Sequence, residues 1–250
     1  LLKLLGRIHN VEDIFSTIEN ARLADFKNIN LDLMFGLPSQ TMKLAQKDLR
    51  EAINLNPEHI SYYQLTVEPN TIFYKKRPKN LPSSDRLYNM HESGLEILEA
   101  ANYSRYEISA FAKPQEECQH NLNYWIFGDY IDVGSGAHGT YTINNDVYRY
   151  QKPSLPRAYV NTNFEKNDFK LKKLKQSEII FDYMLNNLRL ISGFKETHFE
   201  DFTNISFNII EQKLVKLKRL GLMQNDGEHC WQLTALGLRF LDDAQAEFLP

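Results

Sequence analysis

Cysteine is scarce: Cys118 and Cys230 are the only two in 250 residues. Two thiols cannot build a disulfide framework, and a reduced, cytoplasmic setting is the default expectation. Long apolar runs are missing as well. None approaches the ~20 residues that a membrane span needs, so no transmembrane segment is expected. Neither sign of charge dominates, with 29 Lys and Arg against 32 Asp and Glu and a net charge of −3. That balance gives no electrostatic reason for an obligatory nucleic-acid or membrane partner. Residues 1–7 are too short and wrongly flanked for a signal peptide. The chain opens without Met, inside what reads as the end of a helix, so residues upstream are expected. Internal repeats and low-complexity tracts are absent too. A hydrophobic content of 42% and a charged content of 24% suit a chain that buries a large core.

What is present follows helix and strand periodicity. Asn10 before Glu12 and Asp13 marks a helix start, with Val11, Ile14, Phe15, Ile18 and Ala21 on one face. Residues 29–35 predict a strand stopped by Gly36-Leu37-Pro38. A helix carrying Leu44, Ala45, Leu49, Ala52 and Ile53 follows and ends at Asn56-Pro57, and residues 59–67 predict the next strand. Strand, helix and strand make a βαβ unit with parallel pairing, in a barrel or an open doubly wound sheet. Chemistry gathers at the carboxyl ends of such strands, where Asp32 and Thr66 are expected. Beyond a polar loop with Lys75-Lys76-Arg77, the pattern predicts a helix from Ser84 or Asp85. Strand-like residues at 103–111, a short aromatic helix near 121–127, and strand-like residues at 130–133 and 140–150 come next.

Residues 161–175 are polar with few anchors and read as a connection. From Gln176 the order is a helix, a second helix ended by Gly221, a hairpin at Asp226-Gly227 and a last helix from Ala235 to about Phe248. That is a winged-helix order. The expected organisation is therefore 1–160, a connection at 161–175, and a small C-terminal domain at 176–250.

The densest chemistry lies between Glu107 and Gly139, where His120-Asn121 stands beside Tyr124-Trp125. This mixture suits a surface for something flat and partly apolar. Gly134, Gly136 and Gly139 match a dinucleotide fingerprint, but the helix that must follow is replaced by strand-like Thr140-Tyr141-Thr142-Ile143. A nicotinamide or flavin site is rejected; a close backbone approach to a ligand and a tight bend both remain. His120 beside Cys118 suits a metal or haem ligand, though zinc spacings need a second ligand pair and no Cys-x-x-Cys-His occurs. A cap on the short helix is the plainer alternative for His120-Asn121, and burial in the core is the plainer one for Tyr124 and Trp125. An Asp at position 32 in an apolar strand is costly unless it binds something or bonds a neighbouring loop. The basic residues at 213–219 are simplest as a solvated helix face, and no nucleic-acid partner is expected.

Several segments together carry a family resemblance. They are Leu4-Leu5-Gly6-Arg7-Ile8-His9, residues 30–41 with Asp32-Leu33-Met34-Phe35-Gly36-Leu37-Pro38, residues 63–71 with Tyr63-Gln64-Leu65-Thr66-Val67, and Tyr106-Glu107-Ile108-Ser109-Ala110-Phe111-Ala112. Cys118-Gln119-His120-Asn121-Leu122-Asn123-Tyr124-Trp125 and Gly128-Asp129-Tyr130 complete the set. The whole chain closely resembles the HemW haem chaperones, relatives of oxygen-independent coproporphyrinogen III oxidase among the radical S-adenosylmethionine (SAM) proteins. The block His120-Asn121-x-x-Tyr124-Trp125 points to the chaperone branch. The resemblance implies an α/β fold, the C-terminal part of a partial (β/α) barrel over 1–160 followed by a winged-helix-like domain. It implies that Arg7 and Asp32 contact SAM and that Thr66 occupies a third such position, with a residue type different from that of the oxidase relatives. It also implies haem binding by His120, Asn121, Tyr124 and Trp125, with His120 offered to the iron and an aromatic ring stacked on the porphyrin. Lys75, Lys76 and Arg77 are candidates for its propionates. The implied activity is binding haem and delivering it to an acceptor protein. The alternative is oxidation of coproporphyrinogen III in porphyrin biosynthesis.

The family holds a [4Fe–4S] cluster through Cys-x-x-x-Cys-x-x-Cys, a block this chain does not contain. The expectation is that it corresponds to the C-terminal portion of such a protein, without the first barrel strands. No reductive SAM cleavage is predicted from this polypeptide alone, and its open strand edges make it prone to aggregate.

Overall fold

The computed structural model describes residues 2–162, 170–227 and 229–250, in two compact units, 1–118 and 119–250. The first unit opens with a 3-10 turn at Leu2–Leu5 and α1 (Val11–Leu23). Asn10 and Asp13 cap α1 reciprocally, each side chain accepting the other's backbone N–H at 2.9 Å. β1 (Asn30–Phe35), α2 (Met42–Asn54) and β2 (His59–Gln64) form the predicted βαβ unit, and β1 and β2 pair in parallel, Asn30 opposite His59. After α3 (Ile72–Lys75) and α4 (Ser84–Ala100), the chain makes β3 (Ser104–Glu107) and β4 (Ala110–Ala112).

The sheet order is β1-β2-β4-β3, and β4 runs antiparallel to both of its neighbours. The parallel pattern thus stops at β2. Residues 103–111 are not one strand because Glu107 Oε1 accepts from the N–H and the hydroxyl of Ser109, tightening a turn there. β2 also ends earlier than the predicted residue 67, at Gln64. Phe35, Leu49, Ile60, Tyr62, Met90 and Leu98 fill the core of this unit, on one side of the sheet.

The second unit begins with α5 (Gln119–Trp125), then β5 (His138–Ile143) and β6 (Asp146–Gln151) as a hairpin, α6 (Pro156–Val160) and β7 (Lys170–Lys173). β5, β6 and β7 form an antiparallel sheet in that order. Next come α7 (Gln176–Asn187), β8 (Phe194–Lys195), α8 (Glu196–Thr203), α9 (Asn208–Arg219), β9 (Met223–Asn225) and β10 (Cys230–Leu233). The second sheet is ordered β8-β10-β9, and α10 (Ala235–Arg239) and α11 (Leu241–Ala246) close the chain.

Several expectations are corrected here. The expected connection at 161–175 contains strand β7, although its residues 163–169 lie outside the described ones. The compact units divide after Cys118, and Phe127, Val147 and Leu174 share one core with Tyr183, Phe199 and Leu214 of the later helices. Residues 130–133 make only a bridge, Tyr130 to Thr140, and the last helix breaks at Phe240. The fingerprint glycines serve turns and packing. Gly134 and Gly136 have φ of 106° and 74°, and the Tyr150 ring lies where a Cβ on Gly139 would stand, 2.1 Å away.

Candidate functional site

In the first unit, in-register pairing places Asn30, Asp32 and Met34 on one face of the sheet with His59, Ser61 and Tyr63. The opposite face carries Phe35, Ile60 and Tyr62 into the core. Asn30 Nδ2 donates to Asp32 Oδ1 at 2.9 Å, which turns Asn30 Oδ1 toward His59 Nδ1 at 2.6 Å. His59 therefore donates from Nδ1 and accepts from the Tyr106 hydroxyl at Nε2, 2.8 Å away. Burial holds its pKa below the ordinary value against the pull of Asp32, Glu107 and Glu117, in keeping with a neutral ring.

Asp32 is the third residue of β1 and not at its carboxyl end, and it is exposed. The cost of burying a carboxylate, expected from the sequence, does not arise. Burial and Asp32 push the Tyr63 phenol upward while Arg7 opposes them, so Arg7 and Asp32 act on the same ring. Thr66 is exposed, two residues past β2. Lys75, Lys76 and Arg77 lie exposed at and after the end of α3.

In the second unit, α5 is anchored at its end by Phe127. That residue takes φ of 64°, costly for a bulky side chain, while its ring is buried edge-on to Tyr183 at 5.7 Å. Asn123 Nδ2 donates to the Asp129 carbonyl, and the Asp129 carboxylate accepts from the Thr142 N–H and hydroxyl at 2.8 and 3.0 Å. The segment after α5 is thereby laid along β5. His120 and Asn121 are the second and third residues of α5, inside the helix and past its capping position. The His120 ring is exposed and meets the Tyr124 ring edge-on at 4.7 Å; Tyr124 in turn packs on Tyr130 at 4.4 Å.

Beside His120 lies an open hollow of about 380 Å³, lined by Asp129, Tyr130, Ile131, Thr140 and Tyr141. Ile131 is 83% exposed. A second pocket of about 230 Å³ adjoins it through Tyr130 and Thr140, and Tyr124, Trp125, Arg149 and Asp182 stand in its wall. Trp125 carries the Arg189 guanidinium over its ring at 4.4 Å, so one of its faces is already covered. The structure brings His120, Tyr124 and Trp125 onto one short helix. Sequence reading missed Tyr141 and Arg149, which look like ordinary strand pattern, and Asp182, which sits in helix α7 far along the chain. The hollow is near the low end of the ~300–1,000 Å³ typical of sites that enclose a ligand, so a large flat molecule placed there keeps a face open. Among the described residues, no group of three or more His, Cys, Asp or Glu is placed to hold a metal ion. No described helix is long and apolar enough to cross a membrane.

No family model matches the chain. Its fold matches the solved structure of coproporphyrinogen III oxidase from Escherichia coli, a radical SAM enzyme, with a TM-score of 0.74 over 99% of this chain and 60% of that one. At 19% identity that likeness defines a mixed α/β fold of the kind this oxidase has. In sequence the chain resembles the haem chaperone HemW. It is 39% identical over 252 residues to HemW of Haemophilus influenzae, covering 99% of this chain and 64% of that protein. Against HemW of E. coli it is 39% identical over 249 residues, covering 99% and 65%. The chain therefore spans just under two thirds of the length of these relatives.

Proposed function

We propose that this chain is the haem-holding portion of a HemW-type haem chaperone, and that haem lies over the hollow beside His120. One observation carries this reading: an exposed imidazole braced edge-on by Tyr124, next to a concave surface of Tyr130, Ile131 and Tyr141. A neutral imidazole nitrogen is a haem-iron ligand, and the rings and Ile131 give the porphyrin an apolar seat. An open seat suits cargo that must leave again, for an acceptor protein. Tyr124 and Asn121 serve to hold α5 and His120 in place, and Trp125 backs the seat rather than stacking freely. Titrating the protein with haemin tests this: a Soret shift that His120→Ala removes is expected, and an unchanged shift in the variant sinks the assignment.

Arg7, Asp32 and Thr66 are assigned to SAM, a reading supported by Asp32 lying exposed on the sheet face it shares with Ser61 and Tyr63. A radical SAM protein needs three cluster thiols for its chemistry, and Cys118 and Cys230 do not supply them. The chain alone is expected to form no 5′-deoxyadenosine from SAM under reducing conditions, as read by chromatography. We assign 176–250 a winged-helix-like role as a cover and place the protein in the cytoplasm. The fold likeness favours one second reading, oxidation of coproporphyrinogen III. Turnover of that substrate by the full-length protein carrying its cluster would replace the chaperone assignment.

A further inference from the structure

The pocket next to the hollow is built by strand register. Tyr130 bridges to Thr140, Thr140 stands opposite Arg149, and Arg149 stands opposite Lys172, so one row crosses the sheet. Cross-strand partners hold their Cβ atoms about 5 Å apart, which sets Thr140 and Arg149 side by side. Arg149 Nη2 donates to Asp182 Oδ2 at 2.6 Å, with the arginine side chain 40% exposed and the aspartate 12%. That bond uses one corner of the guanidinium. Its Nε and Nη1 make no hydrogen bond among the described residues. Lys172 is turned to Glu178 at 2.5 Å, which leaves Arg149 as the cation of this wall.

Two further polar groups of the wall are unsatisfied. The Thr140 hydroxyl, on a residue 6% exposed, has no partner, and neither has the buried Trp125 Nε1. A buried donor without an acceptor costs roughly 1–3 kcal/mol, so two in one small pocket call for an explanation. Spare guanidinium donors, an indole N–H and a hydroxyl are together rich in donors, and their complement is an anionic oxygen ligand. The one carboxylate in the wall, Asp182, is paired with Arg149; burial pushes its pKa up, while Arg149 holds it down by charge and hydrogen bond.

We propose that this pocket receives a carboxylate side arm of the tetrapyrrole seated over His120, with Arg149 as the residue that recognises it. The proposal rests on the haem assignment above. The pocket and the hollow share Tyr130 and Thr140 in their walls, so a porphyrin lying on the hollow has Arg149 in the adjoining wall. It moves the expected propionate partner from Lys75, Lys76 and Arg77 to Arg149.

The experiment compares haemin with its dimethyl ester, which keeps the ring and the iron but has no carboxylate charge, by absorption titration of the full-length protein. A charge-assisted bond corresponds to about tenfold in affinity, so the wild type should prefer the acid about tenfold. Arg149→Leu should bind both forms equally, at the level of the ester, and Arg149→Lys should keep part of the preference. If the single variant misfolds because Asp182 loses its partner, Arg149→Leu with Asp182→Leu gives the same reading without an orphaned carboxylate. Replacing Lys75, Lys76 and Arg77 by Ser should leave the preference intact. A wild type indifferent to esterification, or an Arg149→Leu variant that keeps the preference, overturns the pocket while the His120-dependent Soret shift still supports the haem seat. A wild type with no His120-dependent shift for either compound overturns both.

Discussion

Gly94 sits in the middle of α4, where glycine ordinarily costs a helix up to about 1 kcal/mol relative to alanine. Its value lies in the ring that replaces its side chain: a Cβ there would stand 2.3 Å from the Tyr62 ring, which stacks on Phe35 at 4.6 Å in the core. The packing effect outweighs the propensity effect. Gly94→Ala is expected to destabilise the first unit by about 1–3 kcal/mol, read from the urea midpoint, where helix propensity alone predicts a gain. A stabilised variant would show that Tyr62 moves aside freely. Individual residues were legible in the sequence to the degree that their role is local. Asn10 and Asp13 announce their cap within four positions. Asp32 was singled out for a burial it does not undergo, because exposure depends on what covers the strand. His120 was visible by its company, whereas Arg149 matters through Thr140 and Asp182, which are distant in sequence.

At the scale of elements, the hairpin of β5 and β6 controls the candidate site, since β5 supplies Thr140 and Tyr141 and β6 supplies Arg149. Its turn residues Asn144 and Asn145 have φ of 50° and 66°, both in the left-handed region, as a two-residue hairpin of the favoured twist requires. Asparagine tolerates that region where alanine loses about 1–2 kcal/mol per residue. Replacing both by Ala should cost about 2 kcal/mol in thermal or urea unfolding. Asn145→Gly should be neutral or stabilising. The double-alanine variant should also lose haem affinity, because a one-residue slip would move Thr140 and Arg149 to the other face. The run 140–150 reads as one continuous strand because apolar and aromatic residues flank the turn closely, and Asn144-Asn145 was the signal that divides it. The βαβ unit, by contrast, was legible, because its helix and strands each state their period within a dozen residues.

For the whole molecule, the division after Cys118 could not be read from composition, because it depends on which core Phe127 and Val147 join. Both units nevertheless share an electrostatic property. His59 and His91 in the first and His198 in the second are half-buried or buried, and each is held below its ordinary pKa, first of all by burial. Asp32, Glu107 and Glu117 oppose this at His59, Glu92 opposes it at His91 where Arg105 reinforces it, and Asp201 opposes it at His198. The sign follows from linkage. A histidine depressed in the folded state is neutral there while the unfolded chain takes up its proton near 6.5, so unfolding gains protons as the pH falls. The stability these groups contribute is fully present above about pH 6.5 and is lost as the pH drops through their folded values. Each such proton weighs about 1.4 kcal/mol per pH unit within that window. Urea midpoints should therefore fall between pH 7 and 5, before ordinary carboxylates titrate. His198 accepts or donates at 2.6 Å with the buried Tyr183 hydroxyl, and His59 bridges Asn30 and Tyr106. His198→Gln and His59→Gln should each lower stability at pH 7.5 and flatten the pH dependence of their own unit. A midpoint that is constant across this range in the unaltered protein would mean that these rings protonate in place, and the tautomer that links Tyr106 to Asp32 through His59 would fall with it.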